Sequence, residues 1–212
     1  MIIDRYTHIS FDLDGTLVHT VPEYRYGLVP VVVGQLGGSI EEKRHIDQFW
    51  FEGDRDTTIR VCFGLEPDAF WDTFRSMDTP EERSRHTRAY DDAERALRKV
   101  SEAGKKASIL TGAPEWIAKM EIEKLNSAPH DFYLSLTSAG FGQKPDPESF
   151  HFALAKLGMA AHETLYVGNS SEDARYAKNA GVDFVYLERK EHEFDPKEYP
   201  IATIHSPDEL FA

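Results

Sequence analysis

Short apolar runs at residues 8–13, 107–111, 131–136, 164–168, 183–187 and 202–204 are each sized for one β-strand. Most of the stretches between them are patterned for a helix. Residues 89–103 place Ala93, Ala96, Leu97 and Val100 on one stripe, and Gly104 supplies the stop. Residues 114–125 start with a proline at a first helical position and carry Trp116, Ile117, Met120 and Leu125. Residues 147–157 follow Asp146 as N-cap, open on Pro147 and stop at Gly158. Residues 171–180 follow a serine N-cap and stop at Gly181. Strands alternating with helices of this length predict an α/β fold, a doubly wound parallel sheet with helices on both faces.

The alternation breaks between the first strand and the helix near 89. That stretch has no strong strand signal and is punctuated by Gly27, Pro30, Gly34, Gly37, Gly38, Gly53 and Gly64. Segments 41–51 and 67–77 read as helical. The expected organisation is an α/β core of residues 1–18 and 88–212, with a small helical cap domain at 19–87. Ligands of open α/β sheets bind beyond the C-terminal ends of the strands, so an insert there can cover a site and select its ligand. Phe49, Trp50, Phe51, Phe70 and Trp71 are read as the core of the insert itself.

Composition narrows the function classes. With 212 residues, 41% of them apolar, the chain can bury a core of ordinary size. Lys plus Arg number 24 against 37 Asp plus Glu, a net charge of −13, which argues against nucleic acid and against an anionic membrane surface. A local pocket for a small anion is still compatible with it. No run approaches the roughly 20 apolar residues that span a bilayer, and the first residues lack an apolar leader, so a cytoplasmic protein is expected. The single cysteine, Cys62, excludes an internal disulfide and a Cys-based zinc site.

The chemistry is expected at Asp12 and Asp14, at the end of the first strand. Side chains at i and i+2 of extended backbone point the same way, so the two carboxylates would converge. Like charges that close need a cation or a shared proton. A hard divalent cation such as Mg²⁺, which takes one or two carboxylates and keeps its waters, meets that need. Taken alone, Asp-x-Asp-Gly is as readily a cap followed by a turn; a calcium loop is disfavoured because its later Glu is lacking. His130, His151 and His162 lack zinc-ligand spacing. The chain has no His-Glu-x-x-His, Gly-x-Ser-x-Gly or Gly-x-x-x-x-Gly-Lys motif.

The stretch Phe11-Asp12-Leu13-Asp14-Gly15-Thr16-Leu17 resembles the first motif of the haloacid dehalogenase-like hydrolase superfamily. Ile109-Leu110-Thr111-Gly112 resembles the second, Gln143-Lys144-Pro145-Asp146-Pro147 the third, and Tyr166-Val167-Gly168-Asn169-Ser170-Ser171-Glu172-Asp173 the fourth. The motifs stand in family order and the resemblance spans the chain. It points to the phosphatase branch with a helical cap between motifs one and two, which holds phosphoglycolate phosphatases and beta-phosphoglucomutases.

The resemblance implies a mechanism. Asp12 would be the nucleophile that forms an aspartyl-phosphate, and Asp14 the acid for the leaving oxygen and then the base for water. Thr111 and the Gly112 amide would hold phosphoryl oxygens, and Lys144 would offset the charge. Mg²⁺ would be held by Asp12, the Asp14 carbonyl, Asn169 and Asp173. The implied partner is a small phosphorylated metabolite. Residues 53–59 are similar to a Gly-x-x-Asp-x-x-Ile stretch of family caps. That puts Arg55 forward as a second anion contact, with a plain charged helix surface at least as strong a reading.

Two positions refine this. A halide leaves without a proton and an alkoxide does not, so Asp14 favours ester hydrolysis over a haloacid dehalogenase. Asn169 stands where most family phosphatases have Asp, and the lost charge should weaken the attraction for Mg²⁺. A phosphomutase would use the same aspartates. Asn169 also keeps open a non-catalytic phosphate-binding relative.

Overall fold

A computed structural model describes residues 1–192 and 199–212 of the chain. It divides into two compact units, Met1–His19 with Arg88–Ala212, and Thr20–Thr87. In chain order the strands are β1 (His8–Phe11), β2 (Val18–Thr20), β3 (Thr87–Ala89), β4 (Lys106–Thr111), β5 (Phe132–Ser135), β6 (Thr164–Gly168), β7 (Asp183–Leu187) and β8 (Ala202–Ile204). The α-helices are α1 (Pro22–Gln35), α2 (Arg44–Phe51), α3 (Arg55–Phe63), α4 (Pro67–Met77), α5 (Pro80–His86), α6 (Ala93–Glu102), α7 (Glu115–Glu123), α8 (Glu148–Leu157) and α9 (Ser171–Ala180). None of the described helices is long and apolar enough to cross a membrane.

The larger unit is an α/β fold on a six-stranded sheet ordered β5-β4-β1-β6-β7-β8, with every neighbouring pair parallel. Parallel strands with crossover helices bury both faces of their sheet, and the strands alternate between two apolar layers. Ile9, Phe11, Ile109, Leu165, Val167 and Val185 pack with Leu97 and Val100 of α6 and Ala118 of α7. Leu110, Tyr166, Phe184 and Tyr186 point the other way, onto Phe150 and Leu154 of α8 and Ala174 and Ala177 of α9. After β1 the chain moves outward to β4 and β5, then crosses to β6 on the other flank of β1. The order therefore reverses at β1, the position where open sheets carry their sites.

The helices of this unit start and stop on local signals. Gly158 and Gly181 end α8 and α9 in left-handed conformation, which glycine adopts without a Cβ penalty. Ser170 caps α9 and forms a reciprocal capping box with Asp173. The helix expected from 147 begins at Glu148, and the Asp146 carboxylate accepts the Glu148 N–H at 3.0 Å.

The smaller unit holds five α-helices, α1 to α5. The sequence expectation of two helices there, at 41–51 and 67–77, is met by α2 and α4 and misses α1, α3 and α5. The miss at α1 comes from Pro30, which lies inside the helix, and from Gly27 and Gly34, which weaken a helical signal. Burial overrides that propensity: Leu28, Val29, Val32 and Val33 of α1 join a core with Phe49, Phe63, Phe70 and Phe74. The ring centroids of Phe49 and Phe70 are 5.1 Å apart, edge to face. Asp54 caps α3 by accepting the Thr57 N–H at 3.2 Å, and Thr79 caps α5 by accepting the Glu82 N–H at 3.3 Å. The strands β2 and β3, absent from the sequence expectation, pair with each other.

One polar chain runs under the sheet. His8 is fully buried, with its ring nitrogens 3.1 Å from Thr164 Oγ1 and 2.8 Å from Ser108 Oγ. Burial pushes its pKa down to about 4, the nearby Lys106 charge pushing the same way and Asp131 opposing it. The unfolded chain takes up the His8 proton near pH 6.5 and the folded state resists it. Stability contributed here is therefore present above about pH 6.5 and lost as pH falls towards about 4, by about 3 kcal/mol in full. His8→Gln keeps a polar group between the two hydroxyls and removes the titration. Thermal unfolding between pH 7 and pH 4.5 is expected to show a larger loss of Tm for the wild type than for His8→Gln; parallel curves would count against this account.

Candidate active site

The C-terminal ends of β1, β4 and β6 lie side by side, because Phe11 pairs with Ile109 on one side and with Val167 on the other. Asp12 extends β1, its N–H donating to the Val167 carbonyl at 2.9 Å. The chain then turns sharply: the Leu13 carbonyl accepts the N–H groups of Thr16, Leu17 and Val18, and the Gly15 N–H donates to the Val18 carbonyl at 2.6 Å. Gly15 sits at φ +83°, and a Cβ there would collide with the Asn169 side-chain amide. Glycine is needed both for the turn and for this close approach.

Lys144 is the hub. Its ammonium donates to Asp12 Oδ1 at 2.6 Å, to the Tyr166 hydroxyl at 2.7 Å and to Asp173 Oδ1 at 2.8 Å. All four side chains are buried. An ammonium has three donors, and each has one acceptor here. Burial alone would push the Lys144 pKa down, but Asp12 and Asp173 overcome it and hold the value above the ordinary one, so this lysine stays charged. Burial pushes the Asp12 carboxyl above the usual carboxylate range; Lys144 pulls it back and Asp173 adds repulsion. The second oxygen of Asp12, Oδ2, accepts from Thr16 Oγ1 at 3.1 Å, and the same hydroxyl lies 3.4 Å from Asn169 Oδ1.

The structure thus brings Asp12, Lys144, Asn169 and Asp173 together. Asp14 follows two residues after Asp12, half-buried and bridged through its backbone to Val18. Thr111 ends β4; it is buried, and its Oγ1 accepts the Ala113 N–H at 3.1 Å. Gly112 comes next, where a Cβ would sit 3.0 Å from Gln143 Oε1. Arg55 belongs to the helical unit, and its guanidinium donates to the carbonyls of Phe49 at 3.1 Å and Trp50 at 3.3 Å. Those bonds tie the start of α3 to the end of α2, a structural use that the expectation of an anion contact did not include.

Asp173 departs from the expected metal ligand. Its Oδ1 takes Lys144 and, at 3.0 Å, the Tyr166 hydroxyl. Its Oδ2 accepts from the Asn169 and Ser170 N–H groups, both at 3.2 Å, and from Ser170 Oγ at 2.7 Å. Both oxygens are engaged, which makes Asp173 the counterion of Lys144 and the cap of α9, two uses that the metal-ligand expectation did not include. The Ser170-x-x-Asp173 spacing is a capping-box signature and carried that information in the sequence. Tyr166 and Thr16 were passed over as well. A tyrosine on a central buried strand must find a partner for its hydroxyl, which was the available sign for Tyr166.

Among the described residues no group of three or more His, Cys, Asp or Glu side chains could hold a metal. The donors that remain are Asp12 Oδ2 and Asn169 Oδ1, both drawn to the Thr16 hydroxyl. An all-oxygen set with one carboxylate suits Mg²⁺, which keeps several waters, and does not suit a soft metal.

The model of the haloacid dehalogenase-like hydrolase family matches residues 9–187. The chain belongs to this family. It is 25% identical over 187 residues to a phosphoglycolate phosphatase of Pseudomonas syringae pv. syringae, covering 84% of this chain and 68% of that protein. It is 36% identical over 127 residues to a phosphoserine phosphatase of Thermus thermophilus, covering 58% of this chain and 49% of the relative. The crystal structure of a family hydrolase from Deinococcus radiodurans with bound phosphate and sodium has the same fold, with a TM-score of 0.74 at 18% identity over 97% of this chain and 93% of that one.

Lys144→Met tests the hub. It leaves two buried carboxylates without their cation, which costs about 3–5 kcal/mol near neutral pH. The deficit should shrink at pH 5.5, where the buried Asp12 takes up a proton more readily in the folded variant than in the unfolded chain. Urea unfolding at pH 7.5 and 5.5 measures this; a deficit that does not change with pH would contradict the assignment.

Proposed function

We propose that the protein is a phosphoric monoester hydrolase acting on a small phosphorylated metabolite through an aspartyl-phosphate on Asp12. The observation that carries this reading is the buried Lys144 between Asp12 and Asp173, which sets a carboxylate at the end of β1 with one oxygen held by an ammonium and the other by a hydroxyl. The phosphatase names of the relatives support the reaction class.

The chain's residues would divide the work as follows. An oxygen of Asp12 attacks phosphorus in line with the ester oxygen, and the phosphorus–ester oxygen bond breaks. Asp14 gives its proton to the leaving oxygen, so that an alcohol departs. Asp14, now a carboxylate, takes a proton from the water that attacks the phosphoryl group, and Asp12 is released with inorganic phosphate. Thr111 and the Gly112 amide hold phosphoryl oxygens, and the Lys144 charge offsets that of Asp12 and the phosphoryl group. Asp12, the Asp14 carbonyl and Asn169 would hold Mg²⁺. When bound, the cation supplies charge neutralisation at the phosphoryl oxygens. Choice of substrate is assigned to the helical unit.

The mechanism separates its two acids by leaving group. Asp12→Asn should abolish phosphate release from p-nitrophenyl phosphate and from alkyl phosphates alike, and EDTA should suppress the wild type. Asp14→Asn should spare much of the turnover of p-nitrophenyl phosphate, whose leaving group departs without a proton, and cut alkyl phosphate hydrolysis by about 10²–10⁴-fold. Steady-state kinetics on both esters decides it. Equal losses on the two esters would remove Asp14 from the acid role, and activity surviving Asp12→Asn would rule the mechanism out.

A further inference from the structure

We infer that Arg189, on the segment after β7, is a positioning residue for the nucleophile, acting through Thr16; this rests on the reading of Asp12 as nucleophile. The Arg189 side chain is only 8% exposed. Its Nη2 donates to the Thr16 carbonyl at 2.7 Å and to Asp92 Oδ1 at 2.8 Å, and its Nη1 donates to Asp92 Oδ2 at 2.9 Å. The guanidinium lies over the Tyr90 ring, 3.8 Å from the centroid. Asp92 is itself held by Ser206 Oγ at 2.7 Å. The guanidinium is thus fixed on one edge by a carboxylate and on its face by a ring; Nη2 also reaches the Thr16 carbonyl, and the buried Nε has no hydrogen-bond partner among the described residues.

That carbonyl matters because of what the same residue does with its side chain. Thr16 is fully buried, and its hydroxyl donates to Asp12 Oδ2 while lying beside Asn169 Oδ1. The Thr16 N–H is bonded back to the Leu13 carbonyl at 3.2 Å. Arg189 pins the other end of the residue, so the peptide planes on both sides are set and the hydroxyl has one direction. A nucleophile displaced by about 1 Å can lose about two orders of magnitude in rate. A forked, planar cation holds a carboxylate by two parallel hydrogen bonds and still reaches a carbonyl, a geometry that a point charge does not reproduce. A purely structural clamp would lower stability and leave turnover by the folded enzyme alone, so the two roles separate experimentally.

The test is a double-mutant cycle on p-nitrophenyl phosphate at a temperature well below every Tm, with Arg189→Ala, Thr16→Val and the pair. Arg189→Ala is expected to lower kcat about 10- to 100-fold with little change in KM. The pair is expected to be no slower than the slower single variant. Wild-type kcat in Arg189→Ala, or losses that multiply in the pair, would overturn the inference. Should Arg189→Ala fail to fold, Arg189→Met, which keeps an apolar stem beside Tyr90 and removes the donors, takes its place in the cycle under the same criteria. Asp12→Asn is assayed alongside. If it is inactive while Arg189→Ala turns over normally, this inference alone fails; if it is active, the reading of the nucleophile fails and this inference with it.

Discussion

The site depends on one buried ammonium. Asp12 and Asp173 are both almost fully removed from water, and neither could remain an anion there without compensation. Lys144 supplies it, with one donor for each carboxylate and the third for the Tyr166 hydroxyl. The consequences spread through Asp173. Its other oxygen closes the start of α9 and gathers the N–H groups of Asn169 and Ser170, so the ammonium that balances Asp12 also acts, through Asp173, on the loop carrying Asn169. Gly168 belongs to the same constraint: a Cβ there would sit 2.6 Å from the Asp173 carboxyl carbon. Removing the ammonium would disturb a helix start as well as Asp12.

The parallel sheet makes this meeting possible. Three strands far apart in sequence end at the same level because their register is parallel, and β1 stands between the other two. Asp12 and Asn169 directly follow the ends of β1 and β6, and Thr111 is the last residue of β4. Lys144 comes from outside the sheet, from the turn leading into α8, a helix that packs on the face where Tyr166 points. The sharp turn after Asp12, with Gly15 in a left-handed conformation, then folds Thr16 back onto the carboxylate.

Much of this was legible in the sequence, and the reasons differ by residue. After Thr164 and Asp183 the runs 165–168 and 184–187 hold no charged residue and are largely apolar, the mark of strands buried on both faces, and β6 and β7 occupy them. The serine and glycine that bound α9 are local signals, and they act locally. Asp12 and Lys144 were legible through motifs, because their spacing to glycine and proline follows from turns that the chain makes by itself. Other features rest on contacts that the motifs and periodicity do not display. The helix α1 contains an internal proline and two glycines and is held by a core that only the folded unit provides. Asp173 was read as a metal ligand from its family position, whereas its partners are a lysine and a tyrosine on other elements. Arg55 was put forward for its charge, and the bonds it makes to the carbonyls of Phe49 and Trp50 had no signal in the sequence. Arg189 has no motif at all, because its partners Thr16 and Asp92 are distant in sequence.

The central claim is that Lys144 holds Asp12 ready to take the phosphoryl group. The most direct measurement is reductive trapping during turnover: borohydride converts an acyl phosphate to the alcohol, and peptide mass spectrometry then locates the altered residue. The account predicts homoserine at position 12 in the wild type during turnover and none in the absence of a phosphate ester. Homoserine at position 14 or 173, or unmodified protein during active turnover, would contradict it.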